Sequence, residues 1–369
     1  MVLSTKALEG IAEYQYKPGS MTWLDTKFTY FWNGVVEYLP LWLAPNVITL
    51  FGTFMIVSSS ILLFLHSPTM TEEIPAYISV LLAICLFIYQ TCDAIDGKQA
   101  RRTGTSSPVG QLLDHGGDAI CNVFTNLAVG LSVGTGPTYE LLLVMSIASI
   151  VFFMAQWEEY HTGILRCGNG SVGVTEGLVA LMALHIFTAI LGSDFWNTLI
   201  YNIISIRECA LGLASATMLL QGKDNIKAVC EVIEEEKSIS KCNKITALTQ
   251  LLPSLLVLTT SLVWMMLDDI SAYPYTFFLG IGISHVALSS RMIISHMCKV
   301  EYKSQLDILF GLSTVLLCIV QQILPCDIVS LLYLGGICIV HGHYTTSVVV
   351  EICWYLDIHL LLLKNKSKD

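Results

Sequence analysis

The sequence predicts an all-α, polytopic integral membrane protein with about ten transmembrane helices and an N-terminal amphipathic interfacial helix. Three observations carry this prediction. Mean hydropathy is +0.66, and only 13% of the residues are charged, roughly half the share of an average soluble domain. Successive apolar runs are long enough to cross a bilayer as helices, which takes about 17–25 residues. The Lys and Arg residues gather on one side of the spans that those runs define.

Taken in chain order, residues 20–40 put Leu24, Phe28, Phe31, Trp32, Val35 and Leu39 at helical spacing, with Asp25, Thr29, Asn33 and Glu37 on another face. This pattern predicts a helix lying in the membrane interface or packed on the protein itself. Ten apolar segments follow, at 47–66, 75–95, 109–133, 138–157, 174–191, 197–220, 246–268, 274–296, 305–323 and 326–348. Residues 1–20 contain no apolar core adequate for a cleavable signal, so the first span is expected to direct insertion. Residues 221–245 are polar, with Glu234, Glu235 and Glu236 beside several lysines, and are read as a solvated linker.

The resulting division is 1–46 as an N-terminal segment, 47–220 as a catalytic core of spans one to six, 221–245 as linker, 246–348 as a four-helix membrane region and 349–369 as tail. Positive residues favour the cytosolic side of short loops. Lys6, Lys17, Lys27, Lys98, Arg101, Arg102, Arg166, the lysines of 223–244, Lys299, Lys303 and the terminal lysines all fall on one side of a ten-span topology. The opposite loops contain none, so the active site and both termini are expected in the cytosol. Two arginines lie inside spans: Arg291, near enough to a cytosolic end to snorkel, and Arg207, near mid-span and without a partner in the sequence. Twelve cysteines without C-x-x-C pairs read as small buried residues in a reducing environment. His341 and His343, at i,i+2, do not share a helix face and read as a polar span end. Sequons at Asn169 and Asn365 are expected to remain unmodified in this orientation.

The chemistry is concentrated between Asp93 and Asp118. Asp93 and Asp96 are spaced i,i+3, and Asp114 and Asp118 i,i+4, so each pair projects from one face of its helix. An Asp at the centre of a membrane helix costs about 2.5–3.5 kcal/mol on insertion scales, and four would cost roughly 10 kcal/mol without compensation. Four converging carboxylates therefore describe a divalent-cation site. Mg²⁺ prefers carboxylate oxygen, and one ion held by all four would leave little room for substrate, so two ions, Mg²⁺ (or Mn²⁺), are expected. Gly97 and Ala100 lack bulk where a ligand must approach a helix, and Gly110 permits the same from the next span. Arg101 has the fork to hold a phosphate or a carboxylate.

The segment fits D-x2-D-G-x2-A-R-x8-G-x3-D-x3-D at every fixed position: Asp93, Asp96, Gly97, Ala100, Arg101, Gly110, Asp114 and Asp118. Ordinary residue frequencies exclude a chance match. The motif is similar to the signature of the CDP-alcohol phosphatidyltransferase family. Leu43 to Thr49, Asp96 to Thr103 and Ser106-Ser107-Pro108 resemble its eukaryotic choline/ethanolamine branch. So do Trp157 to Tyr160 and Gly173 to Gly177, while Gly117 stands where many relatives have Cys.

The resemblance implies transfer of phosphoethanolamine or phosphocholine from CDP-ethanolamine or CDP-choline to diacylglycerol, with release of CMP. It suggests Asp118 as metal ligand and base. His115 has the better intrinsic pKa for that task but points about 100° from Asp114 on a helix, and Glu158 is a further candidate. Asn46 is expected to contact the nucleotide or a metal-bound carboxylate. Trp157 and Tyr160 offer aromatic faces to choline, Glu158 and Glu159 offer carboxylates to ethanolamine, and Glu158, Glu159 and Glu176 would equally form a polar collar. The resemblance also implies a homodimer in the endoplasmic reticulum or Golgi among membrane lipid, with no nucleic-acid partner. The competing reading is a cation-coupled transporter using the acidic cluster, which leaves Gly97, Ala100, Arg101 and Gly110 without a task.

Overall fold

In a computed structural model, residues 2–17, 19, 21–166, 168, 172–303 and 305–363 are described. Both sequons and the terminal lysines lie outside them. Helices dominate. A short α1 (Thr5–Ala12) and α2 (Trp23–Tyr38) precede α3 (Pro45–His66), α4 (Ala76–Thr103), α5 (Pro108–Ser132), α6 (Tyr139–Thr162) and α7 (Val174–Leu191). A 3₁₀ turn (Ser193–Asn197) and a small hairpin lead into α8 (Ile206–Glu234). Then come α9 (Lys244–Thr249), α10 (Leu252–Leu267), α11 (Pro274–Met297), α12 (Leu306–Val320) and α13 (Cys326–Leu356).

Helices thus occupy all ten predicted segments. Among the described residues, seven spans are long and apolar enough to cross a membrane: α3, α4, α6, α7, α9 with α10, α11 and α13. The shorter α12 and the more polar α5 and α8 fill the other segments. The ends follow local chemistry. Pro occupies the first turn of α3, α5, α10 and α11, where its missing N–H is no loss. Thr22 with Asp25 and Ser205 with Glu208 form capping boxes. Gly104 ends α4 in the left-handed conformation at φ 68°, which a side chain would penalise.

Three details differ from the sequence reading. The sixth span begins at 206 instead of 197, because Tyr201 and Asn202 turn a hairpin that pairs Leu199 with Ser205, and Ser205 caps the helix. Arg207 is therefore in the first turn of α8 and not at mid-span. Its Nε donates to Glu140 at 3.1 Å, and Nη1 donates to the Gly134 carbonyl at 2.9 Å and to Asn197 Oδ1 at 2.6 Å. Second, the polar stretch 221–245 is not a loop throughout. α8 continues to Glu234 because Gly222, Asn225, Ala228 and Val229 are buried, with Gly222 lying against Met154 and Val151 of α6. Third, α13 runs on to Leu356, so His341 and His343 lie inside a helix instead of at its end.

One core joins α3, α4, α5, α6 and α8 to the last four spans. Leu127 and Leu131 of α5, Phe153 and Trp157 of α6, Trp264 of α10, Phe277 and Phe278 of α11 and Tyr333 of α13 all belong to it. α11 packs on both α5 and α6. Small residues permit that approach, as is usual between membrane helices: Gly282 faces Val123 of α5, and Gly280 faces Tyr333. At one end of the bundle, α1 inserts Ala7, Leu8 and Ile11 between Val109 and Leu112 of α5, Ile293 and Met297 of α11, and Val348 and Ile352 of α13.

α2 lies across the same end of α4. Trp32 and Val36 pack on Ile48, Cys92 and Ile95, while Trp23, Tyr30 and Tyr38 point outward and are strongly exposed. One face of α2 thus packs on the protein, as one of its two readings expects, and the other presents aromatic side chains of the kind favoured at a membrane interface.

Candidate active site

The site is built where α4 ends and α5 begins. Only residues 104–107 separate the two helices, and so short a connection returns the chain antiparallel beside itself. Ser107 accepts from the Gly110 N–H at 3.1 Å and starts α5. Asp93 and Asp96 near the end of α4 consequently lie beside Asp114 and Asp118 in the opening turns of α5. Ligand oxygens of Asp93, Asp114 and Asp118 lie within 4.8 Å of one another. Asp114 Oδ1 is buried and has no hydrogen-bond partner. Asp118 Oδ1 accepts from the Tyr89 hydroxyl at 2.6 Å. Asp96 is outside the group of three; its Oδ2 accepts a short hydrogen bond from the Thr49 hydroxyl of α3.

Three acidic groups brought together away from bulk water repel one another. A divalent cation removes that repulsion, and it would also give the buried Asp114 Oδ1 a partner. The donor set is all oxygen, which suits a hard cation such as Mg²⁺. The residues therefore fit the metal that the motif implies.

The glycines of the motif act by lacking a side chain. A Cβ on Gly97 would meet only the Arg101 Nη1, at 3.5 Å, so the surface above this turn is open to a ligand. A Cβ on Gly110 would lie 3.1 Å from Asn46 Oδ1, and one on Gly117 would lie 2.9 Å from the Thr53 hydroxyl. Both positions hold α5 close to α3. Arg101 is exposed beside Gly97, and Ala100 is partly exposed next to it.

Other candidates have different surroundings. Asn46 donates to the Leu360 carbonyl at 2.7 Å and ties the post-α13 segment to the start of α3. His115 is 6% exposed and meets the Tyr16 ring edge to face, with centroids 5.9 Å apart, about 100° around α5 from Asp114. Glu158 is buried, and the Arg166 guanidinium lies 3.1 Å from its Oε1, off the hydrogen-bond direction. Glu176 accepts from the Gly173 N–H at 2.9 Å and caps α7. Trp157 has a different task from the headgroup contact expected of it. Its ring is 0% exposed, and its N–H is shared between the Ala247 carbonyl and Gln250 Oε1, both at 3.1 Å. No ring face is left for a ligand. The Tyr160 hydroxyl accepts from the Tyr302 N–H at 3.1 Å.

Tyr89, Thr49 and Thr53 touch the acidic group or the glycines around it, yet the sequence reading passed over them. A signal was present: Tyr89 precedes Asp93 by four residues, and Thr49 and Thr53 are also four apart, so each pair marks a polar face on an apolar helix.

Residues 42–165, which contain the whole motif and both helices that carry it, match the family model described as CDP-alcohol phosphatidyltransferase. An Arabidopsis thaliana protein named choline/ethanolaminephosphotransferase 1 is 32% identical over 91% of this chain and 92% of its own length. The chain belongs to the CDP-alcohol phosphatidyltransferase family. Similarity to other members extends well outside the matched region. The human protein named cholinephosphotransferase 1 is 32% identical over 84% of this chain and 77% of its own. A Dictyostelium discoideum protein named only as an uncharacterized class-I member of the family is 33% identical over 80% and 70%.

Two residues beside this family's motif anchor α2. Gln99 donates to the Pro40 and Leu43 carbonyls at 2.9 and 3.1 Å. Arg102 donates to the carbonyls of Val36, Leu39 and Glu37 at 2.9, 2.7 and 3.2 Å, ending α2 in the way cations favour helix C-termini. Arg102→Ala is expected to cost about 1.5–3 kcal/mol locally, the range for hydrogen bonds to a charged group. Hydrogen exchange in 23–38 should accelerate while exchange in α11 stays unchanged.

Proposed function

We propose that this membrane enzyme transfers the phosphoaminoalcohol group of CDP-ethanolamine or CDP-choline to the hydroxyl of diacylglycerol, giving phosphatidylethanolamine or phosphatidylcholine and CMP. The observation that carries the reading is the unpartnered, buried Asp114 oxygen among converging carboxylates on the two helices of the family motif. The relatives named as choline and ethanolamine phosphotransferases supply the substrate class.

In the proposed reaction, the diacylglycerol oxygen forms a bond to the phosphorus bearing the aminoalcohol. The pyrophosphate P–O bond breaks, and CMP leaves with its electron pair. Asp93, Asp96, Asp114 and Asp118 would hold the metal, Mg²⁺ or Mn²⁺ and two ions in all. When bound, it would neutralise charge on the phosphoryl and leaving oxygens. Arg101, exposed beside the open surface of Gly97, would grip a phosphate of the nucleotide, and Ala100 and Gly97 would let the nucleotide lie against α4. Asn46 and Gly110 would position α3 against α5 at that surface. Asp118 would take the hydroxyl proton, since its carboxylate belongs to the acidic group. His115 faces Tyr16 instead, and Glu158 faces Arg166.

The side of the bundle that carries the lysines would lie at the cytosolic face of the endoplasmic reticulum or Golgi membrane, where a soluble CDP-alcohol and a lipid hydroxyl can both arrive. Residues 47–220 would form the catalytic group, with 246–348 packed against it, and the enzyme would act as a homodimer. Competition between CDP-ethanolamine and CDP-choline in liposomes, read as CMP release, tests the reaction and its headgroup together. Ethanolamine is the expected preference, by a factor of a few, because its N–H groups can donate to a carboxylate. Metal-dependent ion flux without CMP release would establish the transporter reading instead.

A further inference from the structure

The helices α5, α6 and α11 pack on one another pairwise, and a cavity of about 10 Å³ lies between α6 and α11. Leu142, Phe278 and Ile281 give it apolar walls, but Ser146 and Ser149 of α6 and His285 of α11 line it as well. A cavity of roughly 10–15 Å³ accommodates one water molecule, and it fills only where about two to four polar partners hold that water. One walled by hydrocarbon alone stays dry.

Three polar partners are present. His285 is 2% exposed and Ser146 is 1% exposed. His285 Nδ1 lies 3.3 Å from the Ser254 hydroxyl of α10, so Nε2, on the far edge of the ring, is directed away from α10. It is buried and has no hydrogen-bond partner among the described residues. Ser146 Oγ is buried and unpartnered in the same way. Ser149 Oγ accepts from the Asn122 amide of α5 at 3.4 Å and keeps its own O–H to donate. An unpaired buried polar group is costly, and lipid around the bundle offers it no alternative partner.

We propose that this cavity holds one internal water molecule, hydrogen-bonded to His285 Nε2, Ser146 Oγ and Ser149 Oγ. Water suits the place because it both donates and accepts. Whichever ring nitrogen of His285 carries the proton, a water can complement Nε2 while it serves the two serines on its other side. The cavity has no carboxylate to favour a cation in its stead. The bridge ties α11 to α6 and, through Ser149 and Asn122, to α5 about one helical turn beyond Asp118. It is thus a positioning site for the helix that carries Asp114 and Asp118, whatever substrate reaches them.

Radiolytic hydroxyl labelling of the full chain in detergent tests this, because radicals formed from a bound water attack the side chains beside it. Phe278 lines the cavity, whereas its neighbour Phe277 turns to Trp264. They are 1% and 0% exposed, so bulk water reaches neither. Phe278 is expected to be hydroxylated several-fold more than Phe277. A mutant cycle gives a second readout. Ser146→Ala should lower the melting temperature of the wild type by about 1–3 °C, the effect of roughly one lost hydrogen bond. In a His285→Phe background it should change little, because residues joined through a shared partner are coupled. Equal labelling of the two phenylalanines, or the same shift in both backgrounds, overturns the proposal. Should His285→Phe fail to fold, the wild-type labelling decides alone. Neither readout involves phosphotransfer, so failure of CMP release would overturn the proposed reaction and leave this result intact.

Discussion

Asp114→Asn is expected to lower kcat/KM for CMP release at least about 10³-fold, since loss of a partner that merely supports a metal ligand costs about 10–100-fold. Asn keeps the shape of the side chain but removes the charge, and its one carbonyl oxygen is a weaker ligand for a hard cation. The same change removes one of three mutually repelling carboxylates. The variant without metal should therefore melt no lower than the wild type. Added Mg²⁺ should raise the wild-type melting temperature, because a ligand that binds only the folded state stabilises it by mass action, and should raise that of the variant much less. The two readouts separate loss of metal from loss of fold. Turnover that persists in Asp114→Asn would remove this carboxylate from the reaction.

Gly282→Leu is expected to lower thermal stability and activity together. A Cβ at this position already lies 2.3 Å from Val123 Cγ1 of α5, nearer than atoms can approach. Overpacking of a well-packed core typically costs about 1–3 kcal/mol, and here the larger side chain forces α11 away from the helix that carries Asp114 and Asp118. Trimming the obstruction with Val123→Ala should recover part of both losses, as expected of residues in contact. A Gly282→Leu chain that melts and turns over like the wild type would show that the α5–α11 seam does not hold the acidic group in place.

Much of the architecture was legible before any coordinates. Apolar runs marked the ten segments that helices α3–α13 occupy, because backbone groups in lipid must be satisfied within the helix and leave few alternatives. The motif spacing placed two carboxylates on one face of each helix. What escaped was set by partners remote in sequence. Arg207 looked uncompensated until the hairpin before α8 brought Asn197, Gly134 and Glu140 to it. The stretch 221–234 looked like solvated linker because its outward face is charged, while its buried face, Gly222, Asn225 and Val229, is too sparse to show a period. Trp157 offered an aromatic ring to a headgroup on paper, but α9 and Gln250 at its end close over it.

By itself, the sequence determined the helical membrane class, the ten segments, the motif and the acidic pairs, all of which depend on composition and on spacings within a single helix. Tertiary structure alone decided which of the four aspartates converge, since Thr49 of α3 engages Asp96 while Tyr89 engages Asp118. It alone assigned Arg102 to α2 and α11 to the flank of α5. The physical reason is the same in each case. A spacing of three or four residues is dictated by the helical repeat, whereas contacts between helices depend on where small residues such as Gly110, Gly117 and Gly282 let two backbones approach.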